Sequence, residues 1–189
     1  MHRRSFLAAV AAASGGAVLP SFTSAAQVDQ VRFEDRIRAS DVSLKLRGAA
    51  LFYYRLFIKV AAAGLYLDDR ASPGDVLADV AKRLEMQYFW SVKSKDLVKG
   101  TEVLLARNLS SAKLTDVRPQ IDAMSALYRD VQAGDRCALT YLPGTGTTLA
   151  LNGQTLGTVP GREFAAAYFS IWFGDKPMDA GLKKKLLGG

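Results

Sequence analysis

The stretch Phe57-Ile58-Lys59-Val60-Ala61-Ala62-Ala63-Gly64-Leu65-Tyr66-Leu67-Asp68-Asp69 carries Phe, Ile and Val at one end and Leu-Tyr-Leu at the other. Four small residues lie between, and two aspartates close it. Together with the six residues before it, it reads as one long strand from Leu51 to Leu67. Successive strand side chains point to opposite faces. The even positions Leu56, Ile58, Val60 and Ala62 are all apolar, whereas the odd positions Tyr53, Arg55, Phe57, Lys59 and Ala61 are mixed. The even face is therefore predicted to pack on a core, and the odd face to line a cleft or meet solvent.

Working outward, Val31 to Leu46 holds short alternating stretches that read as lead-in strands, punctuated by Gly48-Ala49-Ala50. Downstream, Asp69 to Gly74 is a turn, and Ser72-Pro73 opens a short helix through Val80. Lys82 to Trp90 returns as a strand with Leu84, Met86, Tyr88 and Trp90 on one face. Ser94 is placed to cap a helix to about Asn108, and Thr115 to cap another bearing Ile121, Met124, Leu127, Tyr128 and Val131. Gly134-Asp135 turns into a strand over Cys137–Leu142. Thr147–Leu151 and Thr155–Val159 flank Asn152-Gly153, a strong two-residue hairpin signal. Arg162–Phe173 reads as a helix, and Ala180–Leu187 as a final short one.

The first 26 residues have the layout of an export signal. His2, Arg3 and Arg4 make a basic start, Phe6 to Val18 a short apolar run, and Ser24-Ala25-Ala26 a small-residue cleavage site after Ala26. Arg3-Arg4-Ser5-Phe6-Leu7 also fits the twin-arginine pattern, the alternative being an ordinary Sec signal that starts with two arginines. Two domains of use follow: residues 1–26 as a signal, and 27–189 as a single folded domain with a periplasmic destination. Removing the signal takes away two arginines and no acid, leaving 23 basic residues against 18 acidic ones, a net of +5.

That charge is dispersed, and Lys183-Lys184-Lys185 is its only run of three. No basic patch with stacking aromatics points to nucleic acid, although loose contact with an anionic membrane surface is compatible with the balance. The only histidine, His2, leaves with the signal, so imidazole-based triads and metal sites are excluded from residues 27–189. Cys137 is the sole cysteine and reads as a small buried hydrophobe. No cofactor is indicated. Pro143-Gly144-Thr145-Gly146-Thr147 lacks the lysine and following helix of a phosphate loop and reads as a strand-connecting turn. The carboxylate pairs Asp68-Asp69 and Asp175/Asp179 sit beside turn signals and read as turn and cap residues. The aromatics Tyr88, Phe89, Trp90, Tyr168, Phe169, Trp172 and Phe173 read as core where a helix packs on the sheet, or as the lining of an apolar pocket.

Two segments, Phe57-Ile58-Lys59-Val60 through Leu67 and Ile171-Trp172-Phe173-Gly174 through Gly188, resemble the chalcone-isomerase-like family, in particular its bacterial exported branch. The resemblance runs from about Leu44 to the end. It implies an α+β fold, an open-faced sandwich with one large antiparallel sheet and helices layered on one face.

The family includes ring-closing isomerases and non-catalytic fatty-acid binders. Its catalytic members use an Arg after a Gly-rich turn, a Thr on the next strand and a Tyr further on. By that resemblance the Thr position is Ala61 and the Arg position is Phe52 (or Ala49, counted back from Ala61), and no Tyr stands in Ser94–Gly100. No catalytic residue is therefore expected. The fatty-acid binders use an Arg and a Tyr to hold a carboxylate, which points to Arg55, Lys59 and Tyr53 as ligand-binding candidates. The resulting expectation is an exported, non-catalytic binder of a small hydrophobic ligand such as a fatty acid. Its rivals are an intramolecular lyase with a rebuilt site and a partner-binding protein without ligand.

Overall fold

The computed structural model describes residues 25–54 and 57–189. A two-stranded ribbon comes first, β1 (Ala25–Val28) and β2 (Val31–Glu34), followed by β3 (Arg36–Ala39), β4 (Val42–Tyr54) and β5 (Ile58–Asp68). A 3-10 helix, Pro73–Leu77, leads into β6 (Lys82–Tyr88). Three helices, α1 (Ser94–Asn108), α2 (Ser111–Asp116) and α3 (Arg118–Leu127), separate β6 from β7 (Arg136–Leu142), β8 (Gly146–Leu151) and β9 (Gln154–Val159). The chain ends in α4 (Arg162–Phe173) and α5 (Ala180–Leu186). Strands β3 to β9 form one antiparallel sheet in which each strand pairs with its neighbour in sequence.

The strand expected over Leu51–Leu67 is in fact the end of β4 and most of β5, paired antiparallel with Phe52 opposite Ala61 and Tyr53 opposite Lys59. Between those two pairs Val60 is an extra residue, a β-bulge. One extra residue shifts the parity of everything beyond it. Lys59 and Ala61, both odd, consequently do not share a face.

Beyond the bulge both faces of β5 are buried, contrary to the expected split. Ala61, Ala63, Leu65 and Leu67 join the helix-side core with Leu105, Ile121, Phe169 and Leu186. Ala62 and Tyr66 join a second core with Val31 and Phe33 of the ribbon. The fold is the α+β sandwich expected, with the face away from the helices covered in part by β1 and β2. Arg136 ties that cover down, its guanidinium over the Phe33 ring and donating to the Arg32 carbonyl oxygen.

The glycines of this region are set by close approach. A Cβ on Gly64 would lie 2.6 Å from Cδ1 of Phe33, and one on Gly48 2.1 Å from the Lys185 carbonyl oxygen. Gly48 therefore lies within β4 where α5 docks and does not interrupt the strand. The Asn152-Gly153 hairpin is as read, both residues at positive φ.

Two caps differ from expectation. The Ser94 amide and hydroxyl bond Asp130 instead of capping the helix by themselves. Thr115 bonds back to the Ser111 carbonyl inside α2, which Ser110 caps. Two of the four carboxylates read as turn and cap residues act so, Asp68 accepting from the Arg70 amide and Asp179 capping α5, whereas Asp69 pairs with Arg36.

Candidate ligand cavity

The bulge at Val60 turns that side chain toward α1, where an apolar cavity of about 560 Å³ lies between sheet and helices. Its sheet wall is Phe52, Val60, Met86 and Tyr88, contributed by β4, β5 and β6. The opposite wall is one face of α1, Leu97, Gly100, Thr101 and Leu104, at the 3- and 4-residue spacing that puts side chains on a single stripe. Ile171 and Trp172 of α4 close one side, with Met178 held there by its amide donating to the Ile171 carbonyl at 2.7 Å. Tyr54 and Asp96 line the cavity and are themselves exposed, marking its open end. The α1 wall is anchored by Asp130, which takes the Ser94 amide, the Ser94 hydroxyl and the Lys93 ammonium. Those bonds hold its carboxyl down at about 2.

Polar groups are sparse and neutral apart from Asp96. The Tyr128 and Tyr168 hydroxyls meet at 2.6 Å. Burial raises the Tyr88, Tyr128 and Tyr168 phenols above the ordinary range, so all three stay protonated at neutral pH. Tyr88 and Tyr128, which are on the lining, can hydrogen-bond a ligand oxygen, but none of the three is poised as a base. Trp172 Nε1 is buried beside them without a hydrogen-bond partner among the described residues. Cys137 lies at a small adjoining void, and its thiol is pushed up to about 11, first by burial and then by the Asp135 charge. That leaves it an unreactive thiol. Among the described residues no group of His, Cys, Asp and Glu could hold a metal ion.

The residues singled out from sequence divide around this cavity. Phe52 forms part of its wall, and Ala61, wholly buried, sits across the ladder from both Phe52 and Tyr88. Lys59 and Tyr53 are not on the described lining: the bulge puts Lys59 on the face opposite Ala61, and Tyr53, next to the lining residue Phe52 on β4, is its cross-strand partner on that face. There the Lys59 ammonium donates to Asp29 at 2.8 Å. Arg55 lies outside the described residues, as does the signal up to Ser24. Ala26, the expected cleavage site, is in β1 opposite Phe33, so a cut there would leave Gln27 and Val28 to pair with β2.

The expected aromatic cluster splits. Tyr88 and Trp172 reach the cavity, while Phe169 and Phe173 are core. Phe89 belongs to the far face, and Trp90 is exposed. Sequence reasoning missed Thr101, Tyr128 and Gly100 as lining. The one available signal was a mid-helix glycine facing the apolar stripe of α1.

A family model described as chalcone isomerase-like matches residues 25–188. The chain belongs to the chalcone isomerase-like family. Among solved structures, this family member is similar to a fatty-acid binding protein of Arabidopsis thaliana, with a TM-score of 0.64 at 16% identity. The match covers 84% of this chain and 92% of that one, and at this identity it speaks for the fold. Among curated protein sequences none matches.

Proposed function

We propose that this chalcone isomerase-like protein is an exported, non-catalytic binder of a small hydrophobic ligand, with a long-chain fatty acid as the class to test first. The apolar cavity between α1 and the sheet carries the reading. Its volume falls in the roughly 300–1,000 Å³ range of small-molecule sites, and its lining pairs hydrocarbon with a few hydroxyls. The likeness to the fatty-acid binding protein of Arabidopsis thaliana supports the same class.

Alanine and phenylalanine at positions 61 and 52 support the absence of ring-closing chemistry, since neither can stabilise a developing oxyanion. Arg55, next in the chain after Tyr54, is the cation we assign to a ligand carboxylate. The basic start, apolar run and small residues ahead of Gln27 support export to the periplasm.

Titration with palmitate, followed by native mass spectrometry and calorimetry, tests the reading. We expect one bound acid per chain, weakened by Arg55→Ala. We expect Asp96→Asn to tighten binding, because the open-end carboxylate repels a like charge. A chain that binds no acyl acid and carries no co-purified lipid would sink the proposal. Cyclisation of a chalcone above the spontaneous rate, followed by ultraviolet absorbance, would replace it with the isomerase.

A further inference from the structure

Five large hydrophobic side chains are exposed among the described residues, and four of them gather at one end of the sheet. Phe57 is 86% exposed, Trp90 60%, Tyr54 52% and Ile58 46%. Tyr54 and Ile58 are cross-strand partners in the β4–β5 ladder, and Phe57 precedes Ile58 in the chain. Phe57, Ile58 and Trp90 line one shallow groove with Lys59. The indole is held in place, with Nε1 donating to the Lys59 carbonyl at 2.7 Å. A fixed, exposed indole beside an exposed phenylalanine loses apolar contact to water unless something covers it.

The position of the patch argues for what covers it. Tyr54 belongs both to the patch and to the open end of the apolar cavity, so whatever sits on the patch also faces the cavity's entrance. The charges around it favour an anionic surface. Asp29 neutralises Lys59 and Asp130 neutralises Lys93. α1 begins four residues after Trp90 and carries Lys95 and Lys99, both exposed and, among the described residues, without an ion-pair partner; of its two carboxylates Glu102 is paired with Arg118, which leaves Asp96 against them. Trp and Tyr set among lysines is the composition of a membrane–water interface, where the rings sit at headgroup depth and the ammonium groups reach phosphate.

We propose that the Tyr54–Phe57–Ile58–Trp90 end of the sheet docks on anionic lipid bilayers, presenting the cavity entrance to the membrane. The docking surface goes beyond ligand binding and does not depend on it.

Flotation with unilamellar vesicles tests it, using a chain that begins at Ala25 and so contains every described element while omitting the apolar signal. Vesicles of phosphatidylglycerol and phosphatidylcholine are compared with phosphatidylcholine alone, for the unaltered protein and for Phe57→Ser/Trp90→Ser, with circular dichroism confirming that both fold. We expect the unaltered protein to partition onto the anionic vesicles at least tenfold more than the double variant, with the difference shrinking as salt rises. The fluorescence of Trp172→Phe, which reports Trp90, should shift to the blue on the same vesicles. Equal partitioning of the two proteins, equal partitioning onto both vesicle types, or no partitioning at all overturns the proposal. A blue shift that grows with protein concentration without vesicles overturns it in favour of a second copy of the chain as the occupant.

Discussion

Gly100 is the second member of α1's cavity-facing stripe Leu97, Gly100, Thr101 and Leu104, and nothing lies within 4 Å of where its Cβ would be. Glycine inside a helix costs about 1 kcal/mol relative to alanine. The space it leaves belongs to the cavity. Gly100→Ala should therefore raise stability by roughly 0.5–1 kcal/mol in urea denaturation. Gly100→Phe should fold and fill the cavity, abolishing palmitate binding in calorimetry. A Gly100→Phe protein that binds with unchanged affinity would mean the ligand lies elsewhere.

Lys82 is the other residue whose environment makes a definite demand. Its side chain is fully buried, donating to the Ala78 carbonyl over the rings of Tyr141 and Phe169. Burial pushes the ammonium down to about 8, against a partly compensating pull from Asp79. Between pH 8 and 10.5 the unfolded chain then holds the proton that the native chain has lost, so stability rises with pH across that window. Below pH 8 both states are charged and the burial penalty stands in full. Relative to Lys82→Met, the wild-type should gain up to about 3 kcal/mol between pH 8 and 10.5. Urea midpoints of the two proteins across that range check it, and a constant difference would mean that Lys82 keeps its ordinary value.

At the scale of elements, the docking of α5 against β4 rests on a strand position without a side chain. Gly48→Ala would drive a Cβ into the backbone carbonyls of Lys185 and Leu186, which cannot rotate away as a side chain could. We expect a loss of about 1–3 kcal/mol in equilibrium unfolding. Gly100→Ala, also a glycine-to-alanine change, should shift stability in the opposite direction.

Elements with a strong local signal were legible in the sequence. α4 runs from Arg162 to Phe173 as its apolar spacing indicates, and Asn152-Gly153 makes the β8–β9 hairpin because both residues tolerate positive φ. The β4–β5 junction was not legible, because Leu51 to Leu67 offers no Pro, Asn or Asp and its only glycine, Gly64, lies well inside β5. The bulge at Val60 is equally silent. It is a register event between two strands, with no residue type of its own. Since that bulge decides which side chains face α1, the candidates Tyr53 and Lys59 were assigned to the face of Ala61 by a parity that the backbone breaks. The cavity lining is non-local for the same reason: Tyr128, Trp172 and Met178 reach it from beyond α3 and from either side of the α4 terminus.

For the molecule as a whole, cavity and stability are linked. The helix layer and the sheet share one continuous core, from Ala61 and Leu65 through Leu105 to Phe169 and Leu186, and the cavity is a gap within the packing around it. A ligand that fills the gap binds the folded chain and has no site on the unfolded one. Mass action then adds RT ln(1 + [L]/Kd), about 2.7 kcal/mol when free ligand is 100-fold above Kd. For a domain of this size each kcal/mol moves Tm by about 2–4 °C. Palmitate at that excess should accordingly raise Tm by roughly 5–10 °C, read by differential scanning calorimetry. Gly100→Phe, with the gap occupied by its own ring, should start from an equal or higher Tm and show no ligand-dependent rise. Phe57→Ser/Trp90→Ser alters only the exposed end of the sheet, so it should keep the full rise while losing vesicle binding. An equal ligand-induced rise in the wild-type and Gly100→Phe would place the stabilising ligand outside the cavity. A rise lost together with vesicle binding in the double variant would mean that the patch, which meets the cavity at Tyr54, is itself part of the ligand site.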